Sequence, residues 1–199
     1  RQLILEGWRP DDIQVLTPTK RGALGAHALN ERLRPILNGA VRNPQRDVFR
    51  TAGGREIWLG DRVIQTVNDY ELGVFNGEIG KVVGVNIPVK VFGLGERPGI
   101  AVEFEDGSGT KVVEYWAGNI GALQLAYAAT VHKAQGSEFP AVIVVMAWDA
   151  YLLLTRPLAY TGVSRARELL WMFLEEGALD RAVGTVDDIE RNQDIAAHV

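Results

Sequence analysis

With 199 residues, 47% apolar and 23% charged, the chain has the size and usage of one globular domain, or one carrying a small insertion, and not of a disordered protein. It has no cysteine, which excludes disulfides, thiolate metal sites and a cysteine nucleophile, and its three histidines are scattered. No apolar run approaches the ~18–20 residues that span a bilayer, and Glu6 and Gly7 interrupt the start, so neither a membrane segment nor a signal peptide is read and a cytoplasmic setting is expected. The net charge is −4, yet residues 20–62 hold nine Lys and Arg against four acids, a basic segment on an acidic body. Such a segment either faces phosphate or is a solvated arginine-rich surface.

Residues 13–18 read as a short buried strand that stops at Pro18. Leu29, Leu33 and Leu37 then recur every fourth residue, a helical stripe, with Pro35 bending or ending the helix. Residues 38–56 are polar and read as irregular. The pattern changes at 61–67, 79–85, 100–104 and 111–115, short Val- and Ile-rich strands separated by Asn76-Gly77, Gly93-Leu-Gly95, Pro98-Gly99 and Asp106-Gly-Ser-Gly109. That spacing predicts a small antiparallel barrel. Residues 123–130 read as extended and 131–135 as a helical turn. The apolar run 141–146 predicts a strand buried on both faces of a parallel sheet. A helix is expected over 157–167, a strand over 169–174 and a closing helix over 178–183. The fold class is therefore α/β, a parallel-sheet layer interrupted by an antiparallel β insertion.

Generic catalytic motifs fail. A Walker A loop needs G-x-x-x-x-G-K-[ST], but Gly80-Lys81 is followed by Val82, and Phe75 stands where the first glycine belongs. Gly93-Leu-Gly95-Glu-Arg-Pro-Gly99 sits between strands and reads as a turn, and Gly162-Val-Ser164-Arg-Ala166 lacks the second glycine of a nucleophile elbow. Glu103, Glu105 and Asp106 alternate along a strand and its turn, the pattern of a solvated edge.

Three segments are more specific together: Val15-Leu-Thr17-Pro18-Thr-Lys20-Arg21-Gly22-Ala-Leu-Gly25, Ala129-Thr130-Val-His132-Lys133-Ala-Gln135-Gly136-Ser-Glu138-Phe139, and Tyr160-Thr161-Gly162-Val-Ser164-Arg165-Ala166-Arg167. In order and spacing they resemble motifs IV, V and VI of superfamily 1 helicases. The closest likeness is to the RecD-like branch (superfamily 1B), the group of the exodeoxyribonuclease V alpha subunit. The stretches 60–68 and 74–80 look like the approach to that branch's barrel insertion, and Arg191-Asn192-Gln-Asp-Ile-Ala resembles a RecD-type ending. The resemblance implies the second of two RecA-like motor domains, residues 1–78 and 120–199, with an SH3-like barrel inserted over 79–119. It also implies ATP with Mg²⁺ held mainly by an N-terminal RecA-like domain of the same polypeptide, which is absent here, so the chain is expected to be a piece of a longer protein.

The resemblance further implies roles. Arg165 is the candidate arginine finger, a fixed guanidinium that stabilises charge in phosphoryl transfer; its structural alternative is a helix-surface arginine paired with Glu168. Arg167 is expected on another face of that helix. Either Lys20 or Arg21 supplies a second γ-phosphate contact. Gly136 allows close backbone approach, and Glu138 either accepts from a ribose or orders its motif. Thr130 and His132 suit a DNA phosphate, and Lys133 either neutralises one or is solvated. Gln65 and Asn76 are secondary single-strand candidates, Asn76-Gly77 being a hairpin signal first. Tyr70 and Phe75 could stack on bases, with barrel core the expected use of Phe75, and Trp58, Trp116, Trp148 and Trp171 are expected to pack.

The implied function is the C-terminal half of a 5′→3′ motor on single-stranded DNA. Two alternatives stand beside it: a non-catalytic module that binds single-stranded DNA or protein, and the helicase half of a conjugative relaxase. DNA repair, recombination and conjugation, and any RecB- or RecC-like partner, are left open.

Overall fold

The computed structural model describes residues 1–38, 43–106 and 109–185. In chain order its elements are α1 (Gln2–Leu5), β1 (Ile13–Thr17), α2 (Ala26–Leu37), β2 (Val48–Arg50), β3 (Glu56–Trp58), β4 (Arg62–Gln65), β5 (Ile79–Val91), β6 (Gly95–Asp106), β7 (Gly109–Trp116), β8 (Leu123–Leu125), β9 (Ala128–Thr130), β10 (Phe139–Met146), α3 (Arg156–Val163), β11 (Ala166–Leu174) and α4 (Ala178–Gly184), with short 3₁₀ turns between several of them. They form two compact units, Arg1–Arg32 with Tyr127–Val199, and Leu33–Ala126. Among the described residues no helix is long and apolar enough to cross a membrane.

The first unit holds a four-stranded parallel sheet in the order β11-β10-β1-β9. β1 and β10 are its inner strands, which is why their sequences run apolar without alternation. A polar exception, Gln14, is fully buried in β1, and its amide donates to the Val15 carbonyl at 3.1 Å. Asn30 on α2 fastens that helix to β9: its Nδ2 donates to the Ala128 carbonyl at 2.8 Å and its Oδ1 accepts from the Ala128 amide at 2.9 Å. The helical stripe continues through Pro35, and the helix ends two residues later.

The second unit is a five-stranded antiparallel sheet in the order β7-β6-β5-β4-β8, with the hairpin β2-β3 beside it. Phe49, Ile57, Val63, Val82, Ile100, Phe104, Tyr115 and Leu123 fill one core. The sheet starts at β4 and closes with β8, whose strands pair through Val63 and Leu125, so its framework reaches beyond the stretch 79–119 that the turn signals mark. β5 and β6 pair from Gly80 and Phe104 out to Val91 and Gly95, whereas β7 reaches only Gly99. Residues 87–98 therefore run on as a two-stranded ribbon, with Pro88 opposite Pro98 and a fully exposed Phe92 at its tip.

Three expectations are corrected. The segment 38–56 contains the first strand of a hairpin; three-residue strands are too short to show alternation, and the Arg50–Glu56 ion pair at 2.9 Å joins this one across its strands. Residues 123–130 are two strands in different sheets. The helix predicted over 157–167 ends at Val163, because the Arg165 carbonyl accepts the Phe139 amide at 2.9 Å and draws the chain into β11. The RecD-type ending at 191–196 and Arg42 of the basic segment lie outside the described residues.

Candidate functional site

Because its four strands share one direction, the first unit's sheet has a carboxyl edge and an amino edge, and the predicted residues sort between them. At the carboxyl edge Thr17 and Thr130 end adjacent strands side by side, both buried. The loop after Thr17 folds back on α2: the Thr17 hydroxyl donates to the Leu24 carbonyl at 2.8 Å, and the Thr19 and Lys20 carbonyls accept from the Ala26 and His27 amides at 2.9 and 3.1 Å. With its backbone spent on the helix N-terminus, the loop presents Lys20 and Arg21 to solvent. Gly22 is required there, since its φ is +98° and a Cβ would lie 2.7 Å from Asp149 Oδ2. Thr130 leads into the 3₁₀ turn Val131–Ala134, where His132 is exposed and Lys133 half-buried. Burial first, then the neighbouring charge of Lys20, holds the Lys133 ammonium below the usual lysine range.

At the amino edge stands Arg165, in the turn between α3 and β11. Its Nε donates to the Thr161 carbonyl at 3.0 Å, Nη1 to the Ser137 carbonyl at 3.1 Å and Nη2 to the Ser164 hydroxyl at 3.0 Å. All three acceptors are neutral, so the guanidinium is fixed in direction while its charge stays uncompensated by these contacts. That is the condition in which a phosphate would bind it. Glu138 pairs with Arg167 of β11 at 2.9 Å, with both side chains more than half exposed. Gly136, at φ +87°, lies on the exposed loop that supplies the Ser137 carbonyl.

The structure does not bring together Lys20 or Arg21 and Arg165. Phe139 pairs with Ala166, Ala141 with Ile13, and Thr17 closes β1, so about six residues of strand, roughly 20 Å, separate the two edges. Lys20, read from the sequence as a possible second γ-phosphate contact, lies near Lys133. Gln65 is corrected too: it is fully buried in the second unit, its Nε2 donating to the Val67 carbonyl at 2.9 Å and its Oε1 accepting from the Tyr115 hydroxyl at 3.0 Å. Asn76 is exposed in its turn, its amide donating to Asn68 Oδ1 at 2.9 Å. Phe75, expected in the core, is 45% exposed and packs edge-on against the exposed Tyr70. Trp148, expected to pack, is 40% exposed. Sequence reasoning passed over Ser137 and Ser164 as partners of Arg165, although both lie inside the segments that flagged it.

A parallel sheet with helix α3 returning between β10 and β11, interrupted by an antiparallel unit, is the architecture of a helicase second RecA-like domain. The crystal structure of the Pif1 helicase from Candida albicans shares this fold, with a TM-score of 0.57 at 19% identity, covering 98% of this chain and 51% of that one. Residues 125–173 match the UvrD-like helicase C-terminal domain, and residues 29–104 match the SH3 domain of ATP-dependent RecD-like DNA helicases. The ATP-dependent RecD2 DNA helicase of Deinococcus radiodurans is 40% identical over 159 residues, 80% of this chain and 19% of the relative. The RecBCD enzyme subunit RecD of Mycobacterium tuberculosis is 31% identical over 173 residues, 87% and 26% of the two. The chain belongs to the RecD-like DNA helicases, and it spans about a fifth to a quarter of the length of these relatives.

Proposed function

We propose that this chain is the second motor domain of an ATP-dependent DNA helicase that moves 5′→3′ on single-stranded DNA, the direction implied by its RecD-like segments. The observation that carries the reading is the division of charge between the two edges of one sheet. The amino edge offers Arg165 to a nucleotide, and the carboxyl edge, where Thr130 itself is buried, offers Lys20, Arg21, His132 and Lys133 to a phosphate backbone.

ATP with Mg²⁺, held mainly by the rest of the polypeptide, supplies the phosphoryl transfer. This chain's share is electrostatic. Arg165, preset by Thr161, Ser137 and Ser164, meets the charge that develops on the transferred group. Gly136 leaves room on the same side, and Glu138 serves the nucleotide's sugar when it exchanges its Arg167 partner for a hydroxyl. The segment 131–138 joins the two edges covalently, which gives strand binding a direct path to the nucleotide side.

The test is single-strand-stimulated ATP hydrolysis by the full polypeptide, wild type beside Arg165→Ala and Arg165→Lys. The expected loss in turnover is about 10³- to 10⁵-fold with single-strand binding retained. Unchanged turnover in both variants would remove Arg165 from the mechanism and leave the chain a binding module.

A further inference from the structure

A second feature lies at the carboxyl edge and belongs to none of the three helicase-like segments. Directly after β10 the chain makes a 3₁₀ turn, Trp148–Leu153, that exposes Trp148 (40%), Tyr151 (45%) and Leu152 (85%). The two rings stack, with centroids 5.8 Å apart and 27° between planes. The Arg181 guanidinium lies 4.2 Å over Tyr151. Polar ties hold Trp148: its backbone amide donates to Glu175 Oε2 at 2.8 Å and its indole Nε1 to the Glu176 carbonyl at 2.9 Å. A tryptophan whose only polar atom is already satisfied, and whose ring is still open to solvent, has an apolar face to offer and nothing else.

We propose that single-stranded DNA lying along Lys20, Arg21 and Lys133 turns a base onto Trp148, whose ring is backed by Tyr151, so that this turn is the stacking platform of the strand-binding edge. The proposal rests on the strand-binding reading above and extends it to residues outside the motifs. Continuity supports it: Asp149, between the two rings in sequence, lies so close to Gly22 that a Cβ there would be 2.7 Å from its carboxylate, which sets the platform beside the Lys20–Arg21 loop. Charge supports it as well. Asp149 and Glu175 repel phosphate from the Trp148 side, while Lys20 and Arg21 on the neighbouring loop, with Arg181 over Tyr151, attract it. A strand therefore has one side for its backbone and another for its bases. Stacking is tolerant of sequence because every base has a π-face, which suits a translocating motor.

The test is equilibrium binding at low salt of oligo(dT) and of an abasic oligonucleotide of equal length to the wild-type chain and its variants. Trp148→Ala and Tyr151→Ala are each expected to weaken oligo(dT) about 5- to 150-fold and leave the abasic strand unchanged. Trp148→Phe, which preserves an aromatic face and guards against misfolding, is expected to keep most of the affinity. Lys20→Ala with Arg21→Ala is expected to weaken both oligonucleotides alike. Oligo(dT) affinity unchanged in both alanine ring variants, or an abasic strand weakened equally, would overturn the platform and leave the exposed rings to a protein partner. Binding indifferent to Lys20 and Arg21, or absent from the wild type, would overturn the strand-binding reading itself.

Discussion

Asp61 is a buried, multiply hydrogen-bonded carboxylate of the second unit, and its removal has a calculable cost. The carboxylate is fully buried and accepts from Arg34 Nη2, from Arg34 Nε at 3.0 Å, from Asn38 Nδ2 at 3.0 Å and from the Trp58 amide at 2.8 Å. Arg34 is itself 6% exposed at its side chain and lies 4.0 Å over the Trp58 ring. Asp61→Asn keeps the shape but strands a buried guanidinium without its counter-charge and turns one acceptor into a donor facing donors. Breaking a buried pair from one side costs about 3–5 kcal/mol, so the variant is expected to lose ~3–4 kcal/mol. Arg34→Met alone is expected to cost a similar amount, and the double variant less than the sum by ~2 kcal/mol or more, because it no longer buries a lone charge. Urea unfolding by circular dichroism measures the totals. Amide exchange across β3 and β4, including Trp58, assigns the loss to this unit. A loss below about 1 kcal/mol in Asp61→Asn, or additivity in the double variant, would refute the reasoning.

Ser164→Ala removes the hydroxyl that accepts from Arg165 Nη2 and donates to the Thr161 carbonyl. In the full polypeptide it is expected to lower turnover about 10- to 100-fold with little change in the KM for ATP, and Ser164→Thr to restore most of it, as steady-state hydrolysis would show. Lys133 releases its proton at lower pH than an ordinary lysine because burial and Lys20 disfavour its charge. Affinity for single strands should therefore decline with rising pH before ordinary lysines titrate, and Lys133→Arg should abolish that early decline in fluorescence titrations.

How much of this was legible in the sequence depends on the range over which each signal acts. The uninterrupted apolar run of β10 announced an inner parallel strand because burial on two faces leaves no room for alternation. Asn76-Gly77 and Gly93 announced turns through backbone conformations that few residues adopt. Arg165, Thr130 and Lys133 were legible as motif members, but not the edge each occupies, since that follows from strand pairings such as Thr17 with Thr130. Lys20 and Arg21 were likewise legible as residues of the loop after β1, but their separation from Arg165 along the sheet was not. Gln65 was named through the likeness of its stretch, whereas its buried partner Tyr115 lies fifty residues on, beyond the reach of any local signal.

The ribbon formed by β5 and β6 carries one more consequence. Long exposed hairpins invite copies of themselves to add strand by strand, and a bare phenylalanine at the tip would make the first encounter sticky. Pro88 and Pro98 stand opposite one another on the two arms, and neither has an N–H to give a newcomer. The arms that carry this exposed tip are thereby unsuited to templating a fibre, and the apolar tip is held on a ribbon whose own edges discourage addition.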